Sequence, residues 1–176
     1  MAIFDKFTKK EQPVEIPESI QVEAQPGIGY APISGRVIRM TDVPDKVFST
    51  EILGKGCAIW PDGDVVYAPA SGWVGTAMGH AVTIKSDGGA EVLVHVGVNT
   101  VNLKGKGFTN LVSDGGRVVA GQPIIMMDRK VITEAGYQDC VILAISNSDE
   151  LAGVELTAGF SEKVEAGAPI LKVEFK

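Results

Sequence analysis

The chain has 176 residues, of which 45% are hydrophobic and 22% charged, and its formal net charge is −6. These values are ordinary for a soluble globular protein with one buried core, and no basic patch suggests a nucleic-acid ligand. No apolar run reaches the roughly 18–20 residues of a membrane span, and the N-terminus lacks the apolar region of a signal peptide. We therefore expect a cytoplasmic protein in which Cys57 and Cys140 are reduced.

The first 24 residues differ from the rest in composition. Ile3, Phe4 and Phe7 would share one side of a two-turn helix, which Pro13 and Pro17 would end. Two interpretations stay open: a flexible tail, or an anchor on a membrane surface whose short apolar face could bind only marginally. The sequence thus divides into a tail, residues 1–24, and a single domain, residues 25–176.

From residue 25 onward, short apolar stretches alternate with Gly, Pro, Asp and Asn, as is typical of short β-strands. Helical turns are expected only at residues 108–113 and 149–156. The predicted fold class is all-β, an antiparallel barrel-sandwich with very little helix. The predicted strands cover residues 37–40, 65–67, 81–85, 91–96, 116–119, 124–127, 141–145 and 170–175.

Two sequence phrases occur twice in the chain. The pattern A-P-x-S-G-x-V is found at residues 31–37 and 68–74, and V-x-A-G-x-P-I is found at 118–124 and 164–170. Both copies of the first phrase precede both copies of the second, so the two halves are interleaved. This order predicts a sandwich with pseudo-twofold symmetry in which each half needs the other.

The only two histidines, His80 and His95, flank a turn with the sequence Ser-Asp-Gly-Gly. A two-residue loop at Asp87 and Gly88 would place the histidines directly opposite one another, with Cβ atoms about 4.5–5.5 Å apart. A loop shifted by one residue would make them diagonal neighbours, whereas a three-residue loop would put them on opposite faces. Two imidazoles on one face could share a phosphate, a proton or a metal, or could be a structural pair.

The surroundings of both histidines are apolar, which disfavours a charged imidazolium and leaves a neutral ring nitrogen able to attack. One imidazole could act as a nucleophile while the other donates a hydrogen bond to phosphoryl oxygens. With a reference pKa of about 6.5, phosphoryl acceptance is expected to slow below that pH. The alternative is a buried histidine that donates to a backbone carbonyl.

From about residue 27 to the C-terminus, the sequence resembles the glucose-type IIA component of the bacterial sugar phosphotransferase system. The most specific segment is residues 92–101, VLVHVGVNTV, followed by residues 103–108, LKGKGF. The segments DVPDKVF at 42–48, His80-Ala81, and ISNSDE at 145–150 match in the same order, and the opening IFDKF resembles the tail of stand-alone members. The resemblance implies a sandwich of the duplicated hybrid motif type.

By this resemblance, His95 is phosphorylated and His80 stabilises the phosphoryl group. The implied donor is the histidine phosphocarrier protein, and the implied acceptor is a cysteine on the IIB domain of a sugar permease. Regulated transporters or enzymes stay open as further partners. The protein is expected to be a monomer and to require no cofactor. Partners would dock on an apolar ring with Asp45 at its rim. We expect Phe48 to be an exposed contact, whereas Val82 and Val101 could equally be core. The ring positions are Val47, Phe48, Ile52, Val82, Leu93 and Val101.

Two positions depart from the pattern of many relatives. Met78 stands where a threonine helps to orient the histidine pair, and Asn99 replaces an aspartate, which removes one charge from the rim. The donor and acceptor could therefore differ in detail from those of the best-known members, while the core chemistry does not depend on these positions.

Other functions fit the sequence less well. The repeated phrases are reminiscent of biotinyl or lipoyl carriers, but Lys130 does not lie between two methionines. A zinc peptidase of the lysostaphin type would need an H-x-H pair, which the valine and glycine after His95 exclude. Zinc bridging His80 and His95 with a partner's carboxylate stays open. The chain has no Walker A sequence for ATP.

Overall fold

The computed structural model describes residues 15–176, so the segment containing Ile3, Phe4 and Phe7 lies outside the described part. The described residues form mostly short strands with little helix, which confirms the predicted all-β class. The strands are β1 (Ile28–Tyr30), β2 (Gly35–Arg39), β3 (Lys55–Pro61), β4 (Val65–Tyr67), β5 (Gly72–Ala77), β6 (Ala81–Ser86), β7 (Glu91–Val96), β8 (Phe108–Asn110), β9 (Arg117–Val118), β10 (Pro123–Met127), β11 (Val141–Ile145), β12 (Gly153–Leu156), β13 (Lys163–Val164) and β14 (Pro169–Glu174). The α-helices are α1 (Lys46–Ser49) and α2 (Arg129–Glu134), and short 3-10 helices cover Met40–Asp42, Thr100–Leu103 and Ser148–Glu150.

These strands build three antiparallel sheets. The large sheet has eight strands in the order β13-β2-β3-β11-β7-β6-β5-β9. Two three-stranded sheets, β1-β14-β12 and β4-β10-β8, supply the other layer. Strands that pair are often far apart in sequence, as β1 and β14 are, because the chain moves repeatedly between the two halves.

The predicted pseudo-twofold symmetry is confirmed by equivalent backbone hydrogen bonds in the two halves. The Tyr30 N–H donates to the Pro69 carbonyl at 2.9 Å, and its repeat counterpart, the Tyr67 N–H, donates to the Pro32 carbonyl at 2.7 Å. The β2–β13 pairing has the same equivalence to the β5–β9 pairing. Each copy of the A-P phrase therefore binds the other copy, and neither half is a unit on its own.

Alternation along the strands divides the buried side chains between the two faces of the large sheet. On β11, Leu143 belongs to the main core between the sheets, whereas its neighbour Ile142 belongs to a second, smaller cluster on the opposite face. The second cluster is covered by the Met40–Asp42 helix and by α1, which contributes Phe48. This second face is the one that carries His95, because His95 alternates with the core residues Val94 and Val96.

The structure corrects several sequence-based assignments. Residues 108–113 were expected to be helical, but Phe108–Asn110 is a strand that pairs with β10. In residues 149–156, a short 3-10 helix is followed by strand β12. The two α-helices were not predicted, because each is only one or two turns long. Both begin at an aspartate whose side chain accepts backbone N–H groups, Asp45 for α1 and Asp128 for α2.

The described part of the predicted tail contacts the domain. The Ile20 N–H donates to the Gly121 carbonyl at 2.9 Å, and the side chains of Ile20 and Val22 lie against Gly121 and Gly167. These two glycines are equivalent positions of the repeated V-x-A-G phrase, so one short segment lies across both halves. Within residues 15–176, no helix has the length and apolar character needed to span a membrane.

Candidate phosphoacceptor site

His80 and His95 meet on the outer face of the large sheet. His95 is near the end of β7, whereas His80 lies in the turn between β5 and β6. The Val96 N–H donates to the His80 carbonyl at 2.8 Å, which fixes the backbone of this turn to β7. The two rings have centroids 4.9 Å apart and planes at 82°, so the edge of one imidazole faces the other ring.

The turn geometry assumed for this pairing was wrong, although the proximity was predicted. Lys85 pairs with Glu91 and Ala81 pairs with His95, which makes the loop between β6 and β7 three residues long. In a regular strand, that register would direct His80 to the face opposite His95. His80 reaches the same face because β6 begins only at Ala81, and His80 itself belongs to the preceding turn.

One ring nitrogen of His95 is already bonded. Its Nδ1 lies 2.9 Å from the Gly97 carbonyl oxygen, which can only accept a hydrogen bond. Nδ1 therefore carries the proton in the neutral ring, and Nε2 holds the lone pair. The sequence left two roles open for a histidine here, donation to a backbone carbonyl and nucleophilic attack. His95 can have both roles, because Nδ1 donates to the carbonyl while Nε2 keeps the lone pair for attack.

The turn after β7 holds the Gly97 carbonyl in place. Gly97 has a φ of 78°, and a Cβ atom there would overlap both the Thr100 side chain and the Gln138 carbonyl oxygen. The fully buried Thr100 hydroxyl donates to the Val96 carbonyl, and the Gly97 N–H donates to the Cys140 carbonyl at 2.7 Å. Neither Gly97 nor Thr100 was assigned a role from the sequence, where the only signal was their place in the segment following His95.

Both imidazoles are held in the neutral form. Burial, with a further contribution from the charge of His80, lowers the pKa of His95 to about 4, against smaller opposing effects of the Gly97 hydrogen bond and of Asp45. Burial also lowers the pKa of His80. A neutral His95 is thus the ground state at pH 7, and the pH at which acceptance should slow moves well below the value of about 6.5 expected for a free imidazole.

Phe48 lies under His95 instead of on the surface, which corrects the prediction that its ring is exposed. It is only 6% exposed, belongs to the second cluster, and has its ring centroid 4.9 Å from that of His95. Asp45 caps the helix that carries Phe48, accepting from the Val47 N–H at 2.7 Å and from the Phe48 N–H at 3.3 Å. The segment therefore supports the imidazole from one side.

The predicted docking residues separate into two groups. Val47, Ile52 and Val101 are 48%, 76% and 58% exposed, so all three can reach a partner. Val82 is fully buried in the main core, so its expected place in the docking ring is wrong, and Leu93 is half-buried against the second cluster. Side chains alternate between the two faces of a strand, and Val82 is buried because it points to the inner face of β6.

The two family departures lie at the edge of the site. Met78 is half exposed in the β5–β6 turn, where its carbonyl accepts from the Asn110 side chain. Asn99 is exposed in the left-handed conformation, with a φ of 59°. Behind the histidines, Phe108 lies 6.3 Å from His80 between ring centroids, and Gly105 approaches Gly79 so closely that a Cβ on Gly79 would come within 3.0 Å of it.

Among residues 15–176, no three His, Cys, Asp or Glu side chains are grouped as a metal site. A zinc ion shared by His80, His95 and a partner's carboxylate therefore stays a prediction. Lys130 lies on helix α2, just after strand β10, instead of at the tip of a hairpin between methionines.

Comparison with known proteins identifies the family. Residues 28–151 match the family described as phosphoenolpyruvate-dependent sugar phosphotransferase system, EIIA 1. The chain is 36% identical to a "PTS system glucose-specific EIIA component" of Haemophilus influenzae over 97% of both chains. It is 39% identical to a "PTS system beta-glucoside-specific EIIBCA component" of Dickeya chrysanthemi over 82% of this chain and 23% of that one.

The fold agrees with that assignment. Glucose permease IIA from Mycoplasma capricolum superposes with a TM-score of 0.70 at 30% identity, covering 82% of this chain and 93% of that one. None of these matches supports a biotinyl carrier or a zinc peptidase. The chain belongs to the EIIA family of the phosphoenolpyruvate-dependent sugar phosphotransferase system and is a phosphocarrier of that system.

Proposed function

We propose that His95 accepts a phosphoryl group on Nε2 from the histidine phosphocarrier protein and passes it to a cysteine on the IIB domain of a sugar permease. The observation that carries this proposal is the Nδ1 contact with the Gly97 carbonyl, which leaves Nε2 as the nucleophilic nitrogen beside His80. A relative whose name joins B, C and A components in one chain supports a IIB partner.

The transfer needs no base at this site. The Nε2 lone pair of neutral His95 attacks phosphorus as the P–N bond to the donor histidine breaks. His95 then carries a positively charged ring, with its Nδ1 proton still donated to Gly97, and this charge makes the imidazole a good leaving group. In the second step a cysteine thiolate of the acceptor attacks phosphorus, the P–Nε2 bond breaks, and neutral His95 is regenerated.

His80 has a different role in this scheme. Its ring meets His95 edge-on and is within reach of oxygens on a phosphoryl group attached there. An imidazole N–H aimed at those oxygens stabilises the charge that moves during transfer. The apolar surroundings exclude water when a partner docks, which favours transfer over hydrolysis.

The test is a phosphotransfer assay with phosphoenolpyruvate, the general phosphotransferase enzymes and a IIB domain. We expect His95→Ala to accept no phosphate, and His80→Gln to accept phosphate but to transfer it poorly. A phosphorylated His95→Ala protein would overturn the assignment.

The docking face can be tested separately. Ile52→Ser should slow both transfer steps without lowering the melting temperature, because the side chain is 76% exposed shortly after α1, the helix that places Phe48 against His95. Val119→Ser is the matched control, since Val119 is 52% exposed and directly follows β9, an edge strand of the large sheet. Equal rates for the two variants would remove Ile52 from the interface.

A further inference from the structure

A cavity of about 340 Å³ lies beside the turn between β6 and β7, at the opposite end of these strands from the histidines. Its floor is formed by Val92, Leu143 and Ile145 on the inner face of the large sheet. Val173 and the partly exposed Phe175 belong to its opposite wall. The volume lies at the lower end of the range of small-molecule sites.

Asymmetry between the two halves explains why this space is present. Ala70 lines the cavity, whereas the equivalent position of the other A-P phrase is Ile33, a fully buried side chain of the main core. Gly29 also lines the cavity, and its equivalent on β4 is the fully buried Val66. The cavity is therefore lined by Gly29 of the first copy and Ala70 of the second, two positions whose equivalents, Val66 and Ile33, carry branched aliphatic side chains.

The mouth of the cavity carries polar groups with no net charge. Arg117 and Asp87 form a bidentate ion pair with N–O distances of 2.5 and 2.6 Å. Ser71 and Ser86 lie beside the pair, and each hydroxyl oxygen accepts one backbone N–H, which leaves its own O–H to donate. The guanidinium is occupied by Asp87, so an incoming anion would have to compete with a carboxylate.

We propose that this cavity binds a small, uncharged molecule with an aromatic or branched apolar body and one hydrogen-bonding group. The apolar floor takes the body, while the serine hydroxyls at the mouth take the polar group. Neither an anion nor a cation finds an unpaired counter-charge at this mouth, because Arg117 and Asp87 neutralise one another.

The test is to titrate the full chain with 2-naphthol as the probe and to record the chemical shifts of the backbone amides by NMR. We expect saturable shifts at Ala90, Val92 and Leu143. Naphthalene-2-sulfonate, which has the same rings and a permanent negative charge, should bind at least about tenfold more weakly. In Asp87→Asn this difference should shrink or reverse, because the guanidinium is released for the sulfonate.

Filling the cavity supplies the decisive variant. Ala70→Ile copies Ile33 of the other half and should weaken 2-naphthol binding at least about tenfold, and Ala90→Val serves if the first variant does not fold. Ala135→Ile, at an exposed position at the end of α2 that does not line the cavity, should leave binding unchanged. Shifts that rise linearly without saturation, or equal affinity in the native protein and a folded cavity-filling variant, would overturn the proposal.

Discussion

Lowering the pH from 7 to 5 should cost the protein about 2 kcal/mol of folding stability through His95 alone. In the folded chain, burial and the charge of His80 lower the pKa of this imidazole to about 4. In the unfolded chain it titrates near the reference value of about 6.5, and each unit of difference is worth about 1.4 kcal/mol. Because the folded pKa is the lower one, this stability is fully present above about pH 6.5 and is lost as the pH falls toward 4.

The assay is urea unfolding of the native protein and of His95→Gln at pH 7 and pH 5. Other groups titrate in both proteins, so the difference between the two pH effects isolates His95. We expect the native protein to lose about 2 kcal/mol more than the variant. Equal losses in the two proteins, or an NMR titration that places the His95 pKa at 6.5 or above, would refute the reasoning.

The same low pKa has a kinetic consequence. Phosphoryl acceptance should keep its rate down to about pH 5 when the phosphorylated donor is supplied in excess, since His95 is still mostly neutral there. Acceptance that halves near pH 6.5 under these conditions, with the donor itself unaffected, would show that the ring titrates as an exposed imidazole.

Three further predictions concern the support of His95. Phe48→Ala should lower the free energy of unfolding by about 3–5 kcal/mol in urea titrations, because a buried ring is lost; a change below 1 kcal/mol would place Phe48 outside the core. Asp45→Asn, which keeps the helix cap, should lower the association rate with the donor only at low salt, whereas Asp45→Ala should also cost about 1 kcal/mol in unfolding. Thr100→Val should loosen the turn that holds Gly97 and so populate the other His95 tautomer, as seen in ¹⁵N shifts of the ring; an unchanged tautomer ratio would refute a positioning role for Thr100.

The general architecture could be predicted because its signals are local. Turn residues at short intervals marked most strands. The repeated phrases marked the symmetry, because both copies make equivalent hydrogen bonds around Pro32 and Pro69. The helices could not be predicted in the same way, because α1 and α2 are only 4 and 6 residues long and produce no apolar period. Their aspartate caps were the only local signal.

The site was predicted in its residues but not in its geometry. The histidine pair followed from there being two histidines around one hairpin, but the loop length depends on backbone conformation at Gly88 and Gly89, which the sequence leaves open. The place of Phe48 depended on which side of a one-turn helix faces the sheet. Val82 was misassigned because a strand buried on one face and open on the other alternates by residue, and a resemblance alone does not fix that phase.

The interleaving of the two halves also constrains how the chain is made and folds. The first strand, β1, pairs with β14 at residues 169–174, and β2 pairs with β13 at residues 163–164. A chain emerging from the ribosome therefore holds its first strands without these partners until synthesis is nearly complete. The pairs β2–β3, β5–β6 and β6–β7 are exceptions, since each joins strands that are consecutive in sequence and can pair early. We expect chains stopped before residue 163 to expose the edges of β1 and β2 and to be cut there by proteases, even though both histidines have already been made.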